Sequence, residues 1–126
     1  MEPLIVVDAA NVVGSVPDGW WRDRAGAARR LRDALAARDP ARLPGEIVLV
    51  VEGAARGLPA VAGVRVEAAP GSGDDTIVDL VRANVGARPV SVVTSDRELR
   101  ERVRRHGGSI LGPGEVRSVI SYGRGH

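Results

Sequence analysis

The stretch Leu4-Ile5-Val6-Val7-Asp8-Ala9-Ala10-Asn11 decides the fold, because four apolar residues run directly into a carboxylate. A short, continuous apolar run is typical of a parallel strand that is buried on both faces. Three more segments end in acids: Ile47–Val51 in Glu52, Val64–Val66 through a glycine-rich loop in Asp74-Asp75, and Val90–Val93 through Thr94-Ser95 in Asp96. If all four segments are strands of one parallel sheet, their acids meet at one edge.

Several carboxylates in one small volume repel each other, so their pKa values rise or a cation neutralises them. Mg²⁺ takes oxygen ligands of this kind. Taken singly, Asp96 is better explained as a helix cap and Asp74 equally well as one, since Ser95-Asp96-Arg97-Glu98 and Ser72-Gly73-Asp74-Asp75 both have capping-box character. Arg56 is close enough in sequence to pair with Glu52. The recurrence at four strand ends nevertheless favours a metal-binding cluster.

The alternation of strands and helices predicts an α/β fold, a three-layer α/β/α sandwich with a central, mostly parallel sheet, in one domain spanning residues 1–126. In such sheets ligands bind beyond the carboxyl ends of the strands. The predicted strands are 4–8, 46–51, 64–68, 90–94 and 109–111, and the predicted helices are 21–38, 75–85, 96–106 and a short one opened by Pro113. We expect residues 9–19 to form a loop.

Composition excludes several chemistries. All 18 basic residues are arginine, and without lysine there is no P-loop, no response-regulator receiver site and no Schiff-base catalysis. Without cysteine there are no disulfides or thiolate metal sites, and His106 and His126 are too few for an ordinary zinc site. Ala10 stands where haloacid dehalogenase-type phosphatases need a second Asp. The chain also has no DxD pair of the Toprim type and no dinucleotide-binding G-x-G-x-x-G.

Arginines cluster in two stretches, one around Arg22–Arg32 and one around Arg97–Arg105. They could outline a rim that attracts phosphate around an acidic centre. The alternative is two solvated helix faces, with the arginines paired to Asp23, Asp33, Glu98 and Glu101. No signal peptide and no membrane span are apparent in the sequence, so we expect a cytoplasmic protein that does not enter membranes.

Three segments carry a family resemblance: Val6–Gly14 (VVDAANVVG), Gly73–Asp79 (GDDTIVD) and Val93–Leu99 (VTSDREL). Their order and spacing resemble the NYN branch of the PIN-like nucleases, and YacP-like proteins in particular, from Leu4 to about Leu111. The double acid also resembles that of Regnase-type ribonucleases. The resemblance implies a PIN-like fold, a site that depends on Mg²⁺ or Mn²⁺, and RNA as the substrate.

The resemblance also implies roles for individual residues. Asp8, Asp75 and Asp96 match metal ligands, with Asp74 as a neighbouring catalytic acid. Asp79 and Glu52 lie near positions where relatives have acids, and with Asp74 they would contribute to the metal site directly or through water. Asn11, Thr94 and Ser95 would orient carboxylates or waters. The candidates for RNA contact are Trp20, Trp21, Arg22, Arg24, Arg29 and Arg97. The tryptophans could equally anchor the first helix as a hydrophobic staple.

One departure bears on activity, because Regnase-type proteins have a further Asp where this chain has Arg100. The sequence therefore predicts a metal-dependent ribonuclease, most simply an endoribonuclease. The alternative is a non-catalytic RNA-binding NYN module or a partner-regulated scaffold. A homodimer or a regulatory protein partner is compatible with either.

Overall fold

The computed structural model describes residues 2–122, and within that range the chain forms a five-stranded sheet with helices on both faces. The strands are β1 (Leu4–Asp8), β2 (Glu46–Val51), β3 (Val64–Ala68), β4 (Val90–Val93) and β5 (Ser109–Leu111). The helices are α1 (Ala9–Gly14), α2 (Arg24–Ala36), α3 (Gly73–Asn84), α4 (Arg97–Arg105) and α5 (Pro113–Val119). Single 3-10 turns lie at Trp20–Arg22 and Gly53–Ala55.

All strand pairs of this sheet are parallel, and the strand order is β3-β2-β1-β4-β5. The chain builds outward from β1 through β2 to β3, and then returns to the other side of β1 with β4. The order therefore reverses between β1 and β4, and a crevice opens beyond the carboxyl ends of the strands at such a point. The predicted α/β sandwich is confirmed, and the sheet is parallel throughout.

The aliphatic core is divided by the sheet into two layers, because successive residues of a strand point to opposite faces. Ile5 and Val7 of β1 face one layer, where α2 contributes Leu31 and Leu35. Leu4 and Val6 face the other layer, where α3 contributes Ile77. The central strands are covered on both faces, as their unbroken apolar sequences predict.

The largest difference from the predicted elements lies in residues 9–19, which we expected to be a loop. Ala9–Gly14 forms helix α1, which Asp8 caps by accepting a hydrogen bond from the backbone N–H of Asn11. Val12 and Val13 of this helix are buried in the core. A helix of six residues that contains Asn, two Val and a Gly has weak intrinsic propensity, so the cap and the packing stabilise it.

The start of the next helix is also later than predicted. Trp20–Arg22 forms a 3-10 turn, and α2 begins at Arg24 because the Asp23 side chain caps the backbone N–H of Gly26. A Cβ at Gly26 would collide with that carboxylate, so the cap requires glycine there. Among residues 2–122, no helix has the length and apolar composition needed to cross a membrane.

Candidate functional site

The candidate site lies at the switch point between β1 and β4, where Asp8 ends one strand and Thr94 follows the other. The Thr94 hydroxyl donates to Asp8 Oδ2 at 3.0 Å, and the Asn11 backbone N–H donates to Asp8 Oδ1 at 3.4 Å. Thr94 is fully buried and Asp8 is 8% exposed. Two residues that are 86 positions apart in sequence therefore meet at the floor of the crevice.

Burial raises the pKa of Asp8 to about 6, although the hydrogen bonds from Thr94 and Asn11 act in the opposite direction. The negative charges of Asp74 and Glu52 raise it further. Asp8 is thus a buried carboxylate next to other carboxylates, and no arginine within residues 2–122 forms an ion pair with it. Such a group is costly in its charged form unless a cation accompanies it.

Asp74 occupies the first turn of α3 and faces the same crevice. Burial raises its pKa, and the charges of Asp96 and Glu52 raise it further, while Arg102 partly offsets them. Asp96 caps α4 through Oδ1, which accepts from the Leu99 backbone N–H at 2.9 Å. We refer to Asp8, Glu52, Asp74 and Asp96 as the carboxylate cluster.

Glu52 is held in this cluster by the start of α3. Its Oε2 accepts a hydrogen bond from the backbone N–H of Gly73, which leaves Oε1 without a protein donor among the described residues. The suggested pairing of Glu52 with Arg56 does not occur within residues 2–122. A Cβ at Gly73 would approach Glu52 Oε2 to 3.0 Å, so glycine keeps this contact open.

Asp75 and Asp79 are placed differently from Asp74. Asp75 Oδ1 accepts from Arg102 at 2.9 Å, and its side chain is 81% exposed. Asp79 is exposed on α3, and it has no hydrogen bond or ion pair in the described range. Adjacent helical residues point about 100° apart, so only one acid of the pair Asp74-Asp75 faces the crevice.

The donor chemistry of the cluster suits a hard cation, since every group is a carboxylate. Within residues 2–122, however, no three His, Asp or Glu side chains are arranged to hold one metal ion. Mg²⁺ commonly keeps several waters and is bound through one or two carboxylates together with substrate phosphates. The arrangement therefore fits a hydrated ion with few protein ligands, and it does not fit a closed cage.

Polar contacts tie the loops around the cluster together. Asn11 Oδ1 accepts from both the backbone N–H and the hydroxyl of Ser95, at 2.8 and 3.0 Å. Arg100 Nε donates to the Thr94 carbonyl at 2.8 Å. Arg100 therefore holds the β4–α4 loop, and sequence reasoning missed this role because the donor comes from the second turn of α4.

The aromatic and basic residues form one wall of the site. Trp20 and Trp21 pack edge to face with ring centroids 6.1 Å apart. The guanidinium groups of Arg24 and Arg22 lie over these rings, at 5.5 Å from Trp20 and 5.7 Å from Trp21. A pocket of about 460 Å³ is lined by Trp20, Arg24 and Glu52, among other residues. The remaining basic candidates, Arg29 and Arg97, are exposed.

The expected pairing of arginines with acids on the helix faces is seen only in part. Asp33 pairs with Arg32 at 2.9 Å, but Asp23, Glu98 and Glu101 have no arginine partner within residues 2–122. Asp23 instead caps α2. Within residues 2–122, the four arginine candidates Arg22, Arg24, Arg29 and Arg97 form no ion pair with an acid.

The sequence matches no protein-family model and no curated protein. Solved structures with a similar fold include two crystal structures of Rae1 (YacP) from Bacillus subtilis. A mutant form has a TM-score of 0.75 and 21% identity over 94% of this chain and 75% of that chain. The other has a TM-score of 0.75 and 20% identity over 92% of this chain and 72% of that chain. The expected likeness to YacP-like proteins is thus confirmed at the level of the fold.

Proposed function

We propose that this chain is a metal-dependent ribonuclease, most simply an endoribonuclease, that cleaves RNA at the carboxylate cluster. The observation that carries the proposal is the convergence of Asp8, Glu52, Asp74 and Asp96 at the switch point of the sheet, where none of the four has an ion-pair partner within residues 2–122. The likeness in fold to Rae1 (YacP), together with the sequence resemblance to NYN proteins, supports RNA as the substrate class.

We propose that Asp8, Asp74 and Asp96 hold a hydrated Mg²⁺ or Mn²⁺, with one or two of them contacting the ion directly and the remainder, together with Glu52, acting through bound water. When bound, the ion would supply Lewis-acid activation of a water molecule and stabilise charge that develops on the phosphate. The sequence assigned Asp75 rather than Asp74 as a ligand, and it added Asp79. We give the role to Asp74, because Asp75 is engaged by Arg102.

The other residues of the site position these groups. Thr94 orients Asp8 through its hydroxyl, and Asn11 holds the Thr94-Ser95-Asp96 loop against α1. Arg22, Arg24, Arg29 and Arg97 supply positive charge for the RNA backbone, which would draw a polyanion toward an otherwise acidic centre. Binding of this kind weakens as the salt concentration rises.

A cleavage assay tests the proposal. The protein should cut a labelled single-stranded RNA with Mn²⁺ or Mg²⁺ and stop when EDTA is added. Asp8→Asn, Asp74→Asn and Asp96→Asn should each lower the rate by at least about 100-fold. Asn still accepts at a helix N-cap, so Asp96→Asn keeps the start of α4 intact. The matched control is Asp75→Asn, which should retain activity.

The proposal fails if the Asp8 and Asp96 variants both keep full activity. If Asp74→Asn and Asp75→Asn lower the cleavage rate equally, the assignment of Asp74 is contradicted, but the proposed nuclease activity is not.

A second candidate function is a non-catalytic RNA-binding module or a scaffold regulated by a partner. It is favoured by the lack of any three-carboxylate metal group in residues 2–122 and by Arg100 at a position where Regnase-type proteins have an acid. This alternative predicts RNA binding without cleavage, and no rise in melting temperature when Mg²⁺ or Mn²⁺ is added. The same purified protein distinguishes the two functions.

A further inference from the structure

We propose that the pocket beside the carboxylate cluster binds one unpaired nucleobase of the RNA strand, with Trp20 as its stacking surface. This inference rests on the proposed function and adds a subsite to it. The pocket has a volume of about 460 Å³, which lies within the usual range for small-ligand sites.

The position of the pocket links it to the chemistry. Glu52 belongs both to the carboxylate cluster and to the pocket wall, and Ser72 lines the pocket immediately before Gly73. A nucleotide whose phosphate lies at the cluster therefore has its base within reach of the pocket. The two features share the edge formed by the ends of β1 and β2 and the start of α3.

The shape of the pocket suits a flat ring. Besides Trp20, its lining includes the small residues Ala9, Ala10, Ala54 and Gly71. Ala10, Ala54 and Gly71 are exposed, and a Cβ added at Gly71 would meet nothing within 4 Å, so the pocket is open to solvent at these residues. An aromatic ring in a lining of mostly small side chains leaves room for a flat base, and stacking accepts any base.

Charge and hydrogen-bonding groups complete the subsite. Arg24 lies over the Trp20 ring at 5.5 Å and brings positive charge to the mouth of the pocket, where a sugar-phosphate backbone would pass. The Ser72 oxygen accepts from Asp74 N–H at 3.3 Å, and its own O–H is left to donate. The Ser72 hydroxyl and Glu52 Oε1 therefore offer one donor and one acceptor to the edge of a bound base.

The test measures binding in EDTA, so that cleavage does not interfere. A fluorescently labelled single-stranded RNA octamer is prepared with an abasic site at each position in turn, and its affinity is measured by anisotropy. For the wild-type protein, one position should lose roughly 5- to 150-fold in affinity when its base is removed. Trp20→Ala should abolish the difference between the intact and the abasic octamer at that position.

Ala54→Leu provides an independent variant, because it fills the open side of the pocket from an exposed position and leaves the core untouched. It should abolish the same difference. The control is Glu101→Gln, which changes an exposed side chain of α4 that does not line the pocket, and the abasic effect should persist.

A flat abasic profile for the wild type overturns the subsite, as does an abasic effect that survives in both Trp20→Ala and Ala54→Leu. If the wild type shows that flat profile but still cleaves RNA with Mn²⁺, the subsite fails and the proposed nuclease activity stands. If the protein neither binds nor cleaves RNA, both proposals fall.

Discussion

Replacing Asp8 by Asn should stabilise the protein at neutral pH in EDTA, even though it removes the acid at the centre of the proposed site. The pKa of Asp8 rises from 3.8 to about 6 in the folded state, chiefly through burial. Between these two values the folded chain binds more protons than the unfolded chain, so stability falls as the pH rises. Above about pH 6 the penalty is complete, and the shift of roughly two units corresponds to about 3 kcal/mol.

The Asn side chain removes this penalty but accepts one hydrogen bond fewer. Asp8 accepts from the Thr94 hydroxyl and from the Asn11 backbone N–H, and the loss of one such bond costs about 1 kcal/mol. The expected net gain is therefore about 2 kcal/mol at pH 7.5. Below pH 3.8 the gain should vanish or become a small loss, because wild-type Asp8 is then protonated in both states.

Urea denaturation of the wild type and of Asp8→Asn in EDTA, from below pH 3.8 to pH 7.5, measures the difference in their free energies of unfolding. Titrating groups far from Asp8 cancel in the comparison of wild type with variant, whereas the charge interactions of Asp8 with Asp74 and Glu52 are part of the measured difference. Asp79→Asn serves as the control, because Asp79 is exposed and its replacement should change stability by less than about 0.5 kcal/mol at every pH. A gain that does not depend on pH, or a loss at pH 7.5, would refute the assignment of a buried, uncompensated charge.

Three further outcomes are expected. Thr94→Val removes the buried hydroxyl that donates to Asp8 and should cost about 1–3 kcal/mol by thermal denaturation, with a larger loss above the pKa of Asp8 than below it. The Arg88 hydrogen bond and charge lower the pKa of Glu46, so their stabilisation is complete above pH 4.5 and is lost as the pH falls through the lowered folded value. Glu46→Gln should therefore flatten the acid limb of the stability curve, and an unchanged limb would contradict this pairing. Mn²⁺ at about 100 times its Kd should stabilise the wild type by about 2.7 kcal/mol in a melting experiment but leave Asp8→Asn unshifted, and equal shifts would argue against Asp8 as a ligand.

Much of the sheet could be predicted from the sequence, because each strand is a compact apolar run with clear turn residues beside it. The predicted bounds of β1, β2, β3 and β5 are those observed. Helix α1 could not be predicted in the same way. Its residues favour no helix on their own, and it forms because Asp8 caps it and the core receives Val12 and Val13.

The site shows the same limit at the level of side chains. The position of an acid after each apolar segment predicted that the acids would lie at one edge of the sheet, because the carboxyl ends of parallel strands share an edge. Which of Asp74 and Asp75 faces inward depends on where α3 begins, and a shift of one residue rotates the side chains by about 100°. Contacts such as Glu52 with Gly73 and Asp75 with Arg102 join residues 21 and 27 positions apart, and no local pattern encodes them.

The central position of β1 sets the time at which the site can form. Its neighbour β4 is followed by Asp96, the last acid of the cluster along the chain, so a chain emerging from the ribosome can pair β1 with β2, and β2 with β3, long before Asp96 has been made. Pairings that are remote in sequence also form slowly. Asp8 therefore lacks its partner Thr94 and stays exposed to water on that side until most of the chain has been synthesised. The growing polypeptide is thus free of the assembled cluster for most of its own translation.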